Sequence, residues 1–360
     1  MAPLQAPPEG FAHPAIKQTW ERDDSAVASG RVSRPWMWGP GPFYTDYEPF
    51  VDTPGASHLV QYFDKGRLEV NDPGADPSSP WFVTSGRLVS EMVAGEAEAG
   101  GGQMYRIGPA NVPVAGDGGS NQSASYASFG ALLGAVPAAE GKAVDGLLDA
   151  SGKVTTVAAP LAKVTLTRRE AATGHHWADV FWRFVNSPDR PARFDWLYTL
   201  GYPITEPYWM QVPVAGKPQT VLVQLFERRS LTFNPANTTA LQVEMGNVGR
   251  HYFQWRYSQL KPADLDASYQ ARIEVGPKPS RTTRVQEHIE LVNGTGAPLS
   301  NVVLHAPWNH TEGVFRLLSI SSNGTPAETT WREEISLDVP LPAPVAPGAK
   351  QSLDLNIELH

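Results

Sequence analysis

The last ninety residues carry the clearest alternation of apolar and polar positions. Leu353, Leu355, Ile357 and Leu359 alternate with Asp354, Asn356 and Glu358, the period-two mark of a strand with one buried face. Ile335, Leu337, Val339 and Leu341 repeat the pattern, and residues 284–292, 301–305 and 314–320 supply three more strands. Asn293-Gly294 and Asn323-Gly324 end two of these runs, where a tight hairpin needs positive φ. Six or so strands at a spacing of about ten residues predict an antiparallel β-sandwich, immunoglobulin-like, over residues 267–360.

Upstream the periods mix. Strands are predicted at 58–63, 163–167 and 220–226, and helices at 123–133, 142–149 and 175–185. In the last of these Trp177, Val180, Phe181, Phe184 and Val185 recur at helical spacing. The run Tyr252-Phe253-Gln254-Trp255-Arg256-Tyr257 reads as a strand with aromatic residues on both faces. Residues 71–80 and 94–102 have loop composition, and no internal repeat is evident. Residues 19–262 are therefore expected to form an α+β domain with long loops, behind a Pro-rich linker over residues 1–18.

Composition narrows the classes. The chain has 360 residues, no cysteine and a net charge of −8, which removes disulfide frameworks, thiolate metal sites and cysteine nucleophiles. The acidic balance argues against general nucleic-acid binding, and no apolar run is long enough to span a bilayer. With 32 Gly and 33 Pro the chain is rich in turns.

The usual catalytic motifs are absent: no His-Glu-x-x-His, Gly-x-Ser-x-Gly, phosphate loop or dinucleotide fingerprint occurs. No cofactor is expected, and a metal held by His175, His176 and Asp179 is disfavoured, because adjacent histidines diverge on a helix. Two features remain. Acids lie among aromatic or Gly/Pro residues, among them Asp46, Glu48, Asp64, Glu69, Asp117, Glu206, Glu227 and Glu244. Glu206, between Tyr202 and Tyr208-Trp209 on a Pro-flanked stretch, is the best candidate for a functional acid, with Asp64, Asp117 or Glu227 as its partner in glycan hydrolysis. Aromatic rings are also dense (11 Trp, 11 Tyr, 13 Phe), and Trp36, Trp38, Tyr202, Tyr208, Trp209 and Trp255 are candidate stacking platforms.

Two resemblances cover different halves. Trp20-Glu21-Arg22-Asp23, Arg34-Pro35-Trp36-Met37-Trp38-Gly39-Pro40, the stretch Val60 to Glu69, Thr84-Ser85-Gly86-Arg87-Leu88-Val89, the stretch Gly201 to Trp209, Val223 to Arg229 and Val243 to Gly249 resemble an uncharacterised secreted domain of Chloroflexi-type bacteria. That resemblance implies an extracytoplasmic location and carries no catalytic residue. Tyr269-Gln270-Ala271-Arg272-Ile273, Ile289-Glu290-Leu291-Val292-Asn293, Val339-Pro340-Leu341 and Pro347-Gly348 resemble the N-terminal β-domain of M1 (gluzincin) aminopeptidases, without their zinc motif. The expectation is a secreted, non-catalytic binding or accessory protein for an envelope glycan such as peptidoglycan, or for a protein partner. The alternative is a hydrolase working through paired carboxylates.

Overall fold

The computed structural model describes residues 10–53, 57–116, 123–134, 138–157, 162–187, 195–257, 265–275, 283–293, 303–306, 315–326, 330–332, 336–340, 346 and 348–359. The chain divides into a unit spanning Gln5–Arg256 and a second that includes Tyr257–His360.

In chain order the first unit contains α1 (Pro14–Ala28), β1 (Pro42–Pro49), β2 (Ser57–Phe63), β3 (Gly66–Val70), β4 (Thr84–Ser85), α2 (Leu88–Ala94), β5 (Glu96–Glu98) and β6 (Met104–Arg106). After a 3-10 turn at Tyr126–Leu132 come β7 (Gly146–Leu148), β8 (Val154–Thr156), β9 (Leu166–Arg169), β10 (His176–Ala178), α3 (Asp179–Val185) and α4 (Trp196–Leu200). Then follow β11 (Tyr208–Val214), β12 (Lys217–Leu225), β13 (Ser230–Phe233), β14 (Val243–Met245) and α5 (Val248–Tyr257). A four-stranded sheet runs β1-β2-β3-β4 and a six-stranded sheet runs β14-β13-β12-β11-β7-β8, with β5-β6 and β9-β10 as separate ladders. Core residues such as Ile16, Trp38, Phe63, Trp177, Trp209 and Phe226 form one cluster that joins both larger sheets.

Those two sheets are two copies of one plan. Val60-Gln61-Tyr62-Phe63-Asp64-Lys65-Gly66-Arg67-Leu68 matches Val223-Gln224-Leu225-Phe226-Glu227-Arg228-Arg229-Ser230-Leu231, with Val, Gln, Phe and Leu identical in place. The registers match as well: Tyr62 pairs with Arg67 as Leu225 pairs with Ser230, and Leu68 with Ser85 as Leu231 with Met245. On the other side, Asp46 pairs with Val60 as Tyr208 pairs with Val223. Each buried glutamine clamps the extended segment before its own half's first helix. Gln61 accepts from Ala12 N at 3.2 Å and donates to Gly10 O at 2.9 Å, while Gln224 accepts from Ala178 N at 3.2 Å and donates to His176 O at 2.6 Å.

The halves cap each other's helices. The first amides of α2, Val89 N and Ser90 N, donate to Glu227 O in the hairpin turn of the second half (3.2 and 3.1 Å). The equivalent amides of α5, Gly249 N and Arg250 N, donate to Asp64 O in the turn of the first (3.1 and 3.4 Å). Donors that a helix N-terminus leaves orphaned are thus satisfied across the two halves. At the centre, positions 66 and 229 meet: a Cβ on Gly66 would lie 1.9 Å from Arg229 Nη1. One of these two equivalent positions must be glycine if the other carries an arginine.

The second unit contains β15 (Leu265–Val275), β16 (Thr283–Asn293), β17 (Val303–Ala306), β18 (Phe315–Ser322), β19 (Thr325–Pro326), β20 (Thr330–Arg332), β21 (Ser336–Pro340) and β22 (Lys350–Leu359). They form two antiparallel sheets, β15-β16-β22-β18-β19 and β17-β21-β20. Asn323 and Gly324 both take positive φ (49° and 74°) in the two-residue turn from β18 to β19, as Asn-Gly requires. Leu353 and Leu355 are buried and alternate with half-buried Ser352, Asp354 and Asn356.

Five expected elements differ. Residues 14–18 are not linker but the start of α1, with Ile16 in the core, and the stretch 94–102, expected as loop, holds strand β5. Tyr252–Tyr257 is not a strand but the end of α5, whose buried residues Val248, Gly249, Tyr252 and Trp255 follow helical spacing. Residues 142–149 hold strand β7, not a helix, because Trp209 and Met210 of β11 pair with Leu147 and Leu148. His175 and His176 precede the helix: His176 opens β10 opposite Arg169, and α3 starts only at Asp179.

Candidate functional site

A groove of about 780 Å³ runs along α1, lined by that helix, residues 77–83 and the start of α4. His13 fixes the start of α1 by accepting Ala15 N at its Nδ1 (3.1 Å), and Pro14 takes the position where no amide is needed. Across the groove, Asp76 turns the chain by accepting Ser78 N at 2.9 Å, and Phe82 N reaches back to Ser79 O at 3.1 Å. Phe82 and Val83 are buried, which leaves Trp81 directed outward at 56 % exposure. Its ring lies 6.0 Å from that of Tyr198 on α4, and the Arg22 guanidinium stands 6.0 Å over Tyr198. An exposed aromatic ring beside half-buried Tyr198, whose hydroxyl donates to Val83 O at 2.8 Å, and a few fixed polar groups are the chemistry of a ligand-binding concavity.

The acids of this groove are already engaged. Asp23 holds Arg22 through two bonds (2.8 and 2.9 Å) and accepts the Trp38 indole at 2.9 Å. The bond from Asp23 keeps Arg22 above its ordinary pKa. Asp195 caps α4 by accepting Leu197 N at 2.8 Å and Tyr198 N at 3.3 Å.

Among the acids singled out from the sequence, Asp64, Glu227 and Glu206 each have partners of their own. Asp64 and Glu227 occupy equivalent places in the two hairpin turns. Asp64 pairs with Arg250 at 2.7 Å, while Glu227 accepts Tyr202 N at 3.0 Å and lies 3.5 Å from Arg228. Glu206 is buried, accepts His176 N at 3.0 Å, and lies 3.2 and 3.5 Å from the Nδ1 atoms of His176 and His175. Burial works to raise its pKa, but the contacts from His175 and His176 outweigh that and hold it below the usual range. Asp117 lies outside the described residues. Among those residues no group of three or more His, Asp or Glu side chains is arranged to hold a metal ion.

The expected platform rings are mostly interior. Trp38 and Trp209 are at most 1 % exposed, and Trp255 and Tyr208 are buried. The reason is that each indole finds an internal acceptor: Trp38 at Asp23, Trp209 at Val144 O (2.8 Å) and Trp255 at Gly108 O (2.8 Å). Trp36 and Tyr202 are half-buried. Trp81, the exposed ring of the groove, stands in Ser-Ser-Pro-Trp-Phe at the edge of a loop-coded stretch, and that lone tryptophan was the available signal.

Glu48 and Glu69 do come together, around Arg67. Its guanidinium binds Glu48 at 2.8 Å and Glu69 at 2.6 Å, and Arg256 adds a second cation on Glu48 at 3.1 Å. Tyr62 donates to Glu48, and Tyr252 of α5 donates to Glu91 of α2, so α2 and α5 meet at this cluster. Glu48, Glu69 and Glu91 are each no more than 6 % exposed, so the group is sealed from substrate. In the second half the positions equivalent to Glu48, Arg67 and Glu69 are Met210, Ser230 and Thr232.

Burial pushes Glu91 up to about 7, against the opposing pull of Arg67 and the Tyr252 bond. A carboxyl whose folded-state pKa exceeds its unfolded value favours the fold when protonated. That contribution is complete below about pH 4.5 and is lost as pH rises through about 7. The difference between these limits is about 3 kcal/mol. Glu91→Gln keeps an acceptor for Tyr252 and removes the titration. Urea unfolding from pH 4.5 to 8 is expected to show wild type losing stability relative to the variant across that interval, and parallel curves would refute the assignment.

No family model and no curated protein matches the chain. Among solved structures, the M1 zinc metallopeptidase from Deinococcus radiodurans and a two-domain M1 zinc metallopeptidase bound to L-arginine are each similar at 21 % identity, over 27 % of this chain, with a TM-score of 0.21. The match covers 20 % of the length of those structures.

Proposed function

We propose that this chain is an extracytoplasmic binding protein that takes a glycan of the cell envelope into the groove along α1. The observation that carries the reading is the groove itself: exposed Trp81 beside Tyr198, with Arg22, Asp23 and Asp195 held in fixed hydrogen bonds. Aromatic faces suit the apolar faces of sugar rings, and polar side chains already locked in place receive hydroxyls without a further loss of freedom. The engagement of the groove acids Asp23 and Asp195 favours binding over hydrolysis by a carboxylate pair.

The test is co-sedimentation with insoluble peptidoglycan, chitin, cellulose and xylan, with released sugars assayed in the same supernatants. Retention on one polymer without release is expected, and Trp81→Ala is expected to weaken it about tenfold, as loss of a stacking ring does. Retention unchanged in Trp81→Ala would move the site elsewhere. Soluble product that vanishes in Glu206→Gln would establish a hydrolase instead.

A further inference from the structure

The two-half architecture brings one unusual group to its centre. Arg229 is fully buried, with Cζ 4.5 Å from the Trp38 ring centre on one side and the backbone of Gly66 against the other. Its Nη1 donates to Arg228 O at 3.2 Å. Among the described residues neither Nε nor Nη2 has an acceptor, and Arg229 makes no ion pair. These two nitrogens form the edge of a guanidinium that grips a carboxylate or phosphate through parallel bonds.

The neighbouring acids do not supply that partner. Asp24 is spent on Met37 N (2.9 Å), Trp38 N (2.6 Å), Gly39 N (3.2 Å) and Arg34 (3.6 Å). Asp23 is spent on Arg22 and the Trp38 indole. Contact with the Trp38 face offsets only part of what taking one charge out of water costs. Burial, with Arg228 as the next cause, draws the Arg229 pKa down to about 9, and an arginine at that value is still charged at neutral pH. The acidic groups that act on it, Tyr198, Asp24 and Asp23, include two walls of the groove.

We propose that Arg229, clasped between Trp38 and Gly66, is the receptor for one small oxyanion, bound side-on by Nε and Nη2. The site is separate from the glycan reading and stands without it. Two sources share this chemistry: a free anion such as acetate or phosphate, and the carboxylate of a larger ligand.

Thermal unfolding of the full chain in 0–20 mM acetate or phosphate, against chloride at matched ionic strength, tests the proposal. A saturable rise is expected, about 5 °C or more at a hundredfold excess over the dissociation constant. Tryptophan emission should change at the same midpoint, because Trp38 covers the guanidinium. Arg229→Met, which fills the site with apolar volume, should abolish both responses. A rise that persists in Arg229→Met, or melting curves indistinguishable between oxyanion and chloride, overturns the proposal. Should Arg229→Met fail to fold, the wild-type titration decides alone: bulk salt effects are small below about 20 mM, so the absence of saturation there refutes the site. Uronic acid tested beside its neutral sugar separates the two sources, since preference for the acid places the carboxylate on the larger ligand, and equal response to acetate places it on the free anion.

Discussion

Replacing Arg67 with alanine is expected to remove about 3–5 kcal/mol of stability, the range for breaking a buried ion group by deleting one partner. Arg67 binds Glu48 and Glu69 at once, and its cation stands 5.1 Å from the Tyr252 ring and 5.7 Å from the Tyr62 ring. Deletion leaves three acids around Arg256 alone, in an interior where water cannot replace the lost bonds. Urea denaturation at pH 7 measures the loss. Adding Glu69→Gln to Arg67→Ala should recover part of it, because one of the stranded charges is then gone. A loss under about 1 kcal/mol would mean that water reaches the cluster, as at an exposed ion pair.

Gly249→Ala is expected to destabilise by about 3 kcal/mol or more, although helix propensity alone would favour alanine by about 1 kcal/mol. The opposing effect is steric. A Cβ at this position in the first turn of α5 would lie 1.9 Å from Phe63 O and 2.7 Å from Gly66 O. Both are backbone atoms of the first half's hairpin and cannot rotate away. The same move would pull Gly249 N from Asp64 O, its cap at 3.1 Å. The equivalent position on α2 is Val89, so the crowding is particular to this side. Calorimetric melting of the variant checks the sign, and a melting point above wild type would show that the hairpin and α5 are not in close contact.

What could be read from the sequence follows from which contacts are local. Strand β22 was legible because Leu353 and Leu355 lie on a buried face and alternate with polar residues, and the turn at Asn323-Gly324 because positive φ leaves few choices of residue. Residues 142–149 and 252–257 were misread because their periods are short and tertiary pairing decides them: β7 exists as a partner for β11, and α5 as a cover over Glu48 and Arg67. The aromatic clusters offered both core rings and candidate platforms, and which is which depends on internal acceptors within reach of each indole, which sequence does not show. The doubling of the fold was hidden for a related reason. Its halves share Val60, Gln61, Phe63 and Leu68 with Val223, Gln224, Phe226 and Leu231, but they must differ where they touch, as Gly66 and Arg229 do. The groove ring Trp81 was present as a lone tryptophan after prolines, and its exposure follows only once Phe82 and Val83 are seen to turn inward.

The exchange of caps between the halves makes the first unit behave as a dimer whose two protomers happen to share one chain. The turn at Asp64 and the helix it caps are separated by more than 180 residues, as Arg250 and Asp64 show, so α5 gains its cap only after the whole intervening chain has been made. Folding by such distant contacts is slow, and it leaves the first half incomplete while the second emerges from the ribosome. The same arrangement gives tolerance afterwards: a single cut in the stretch that joins the halves would leave two fragments, each holding the other's helix end, so that association survives a break that would dissolve a fold built from neighbours in sequence.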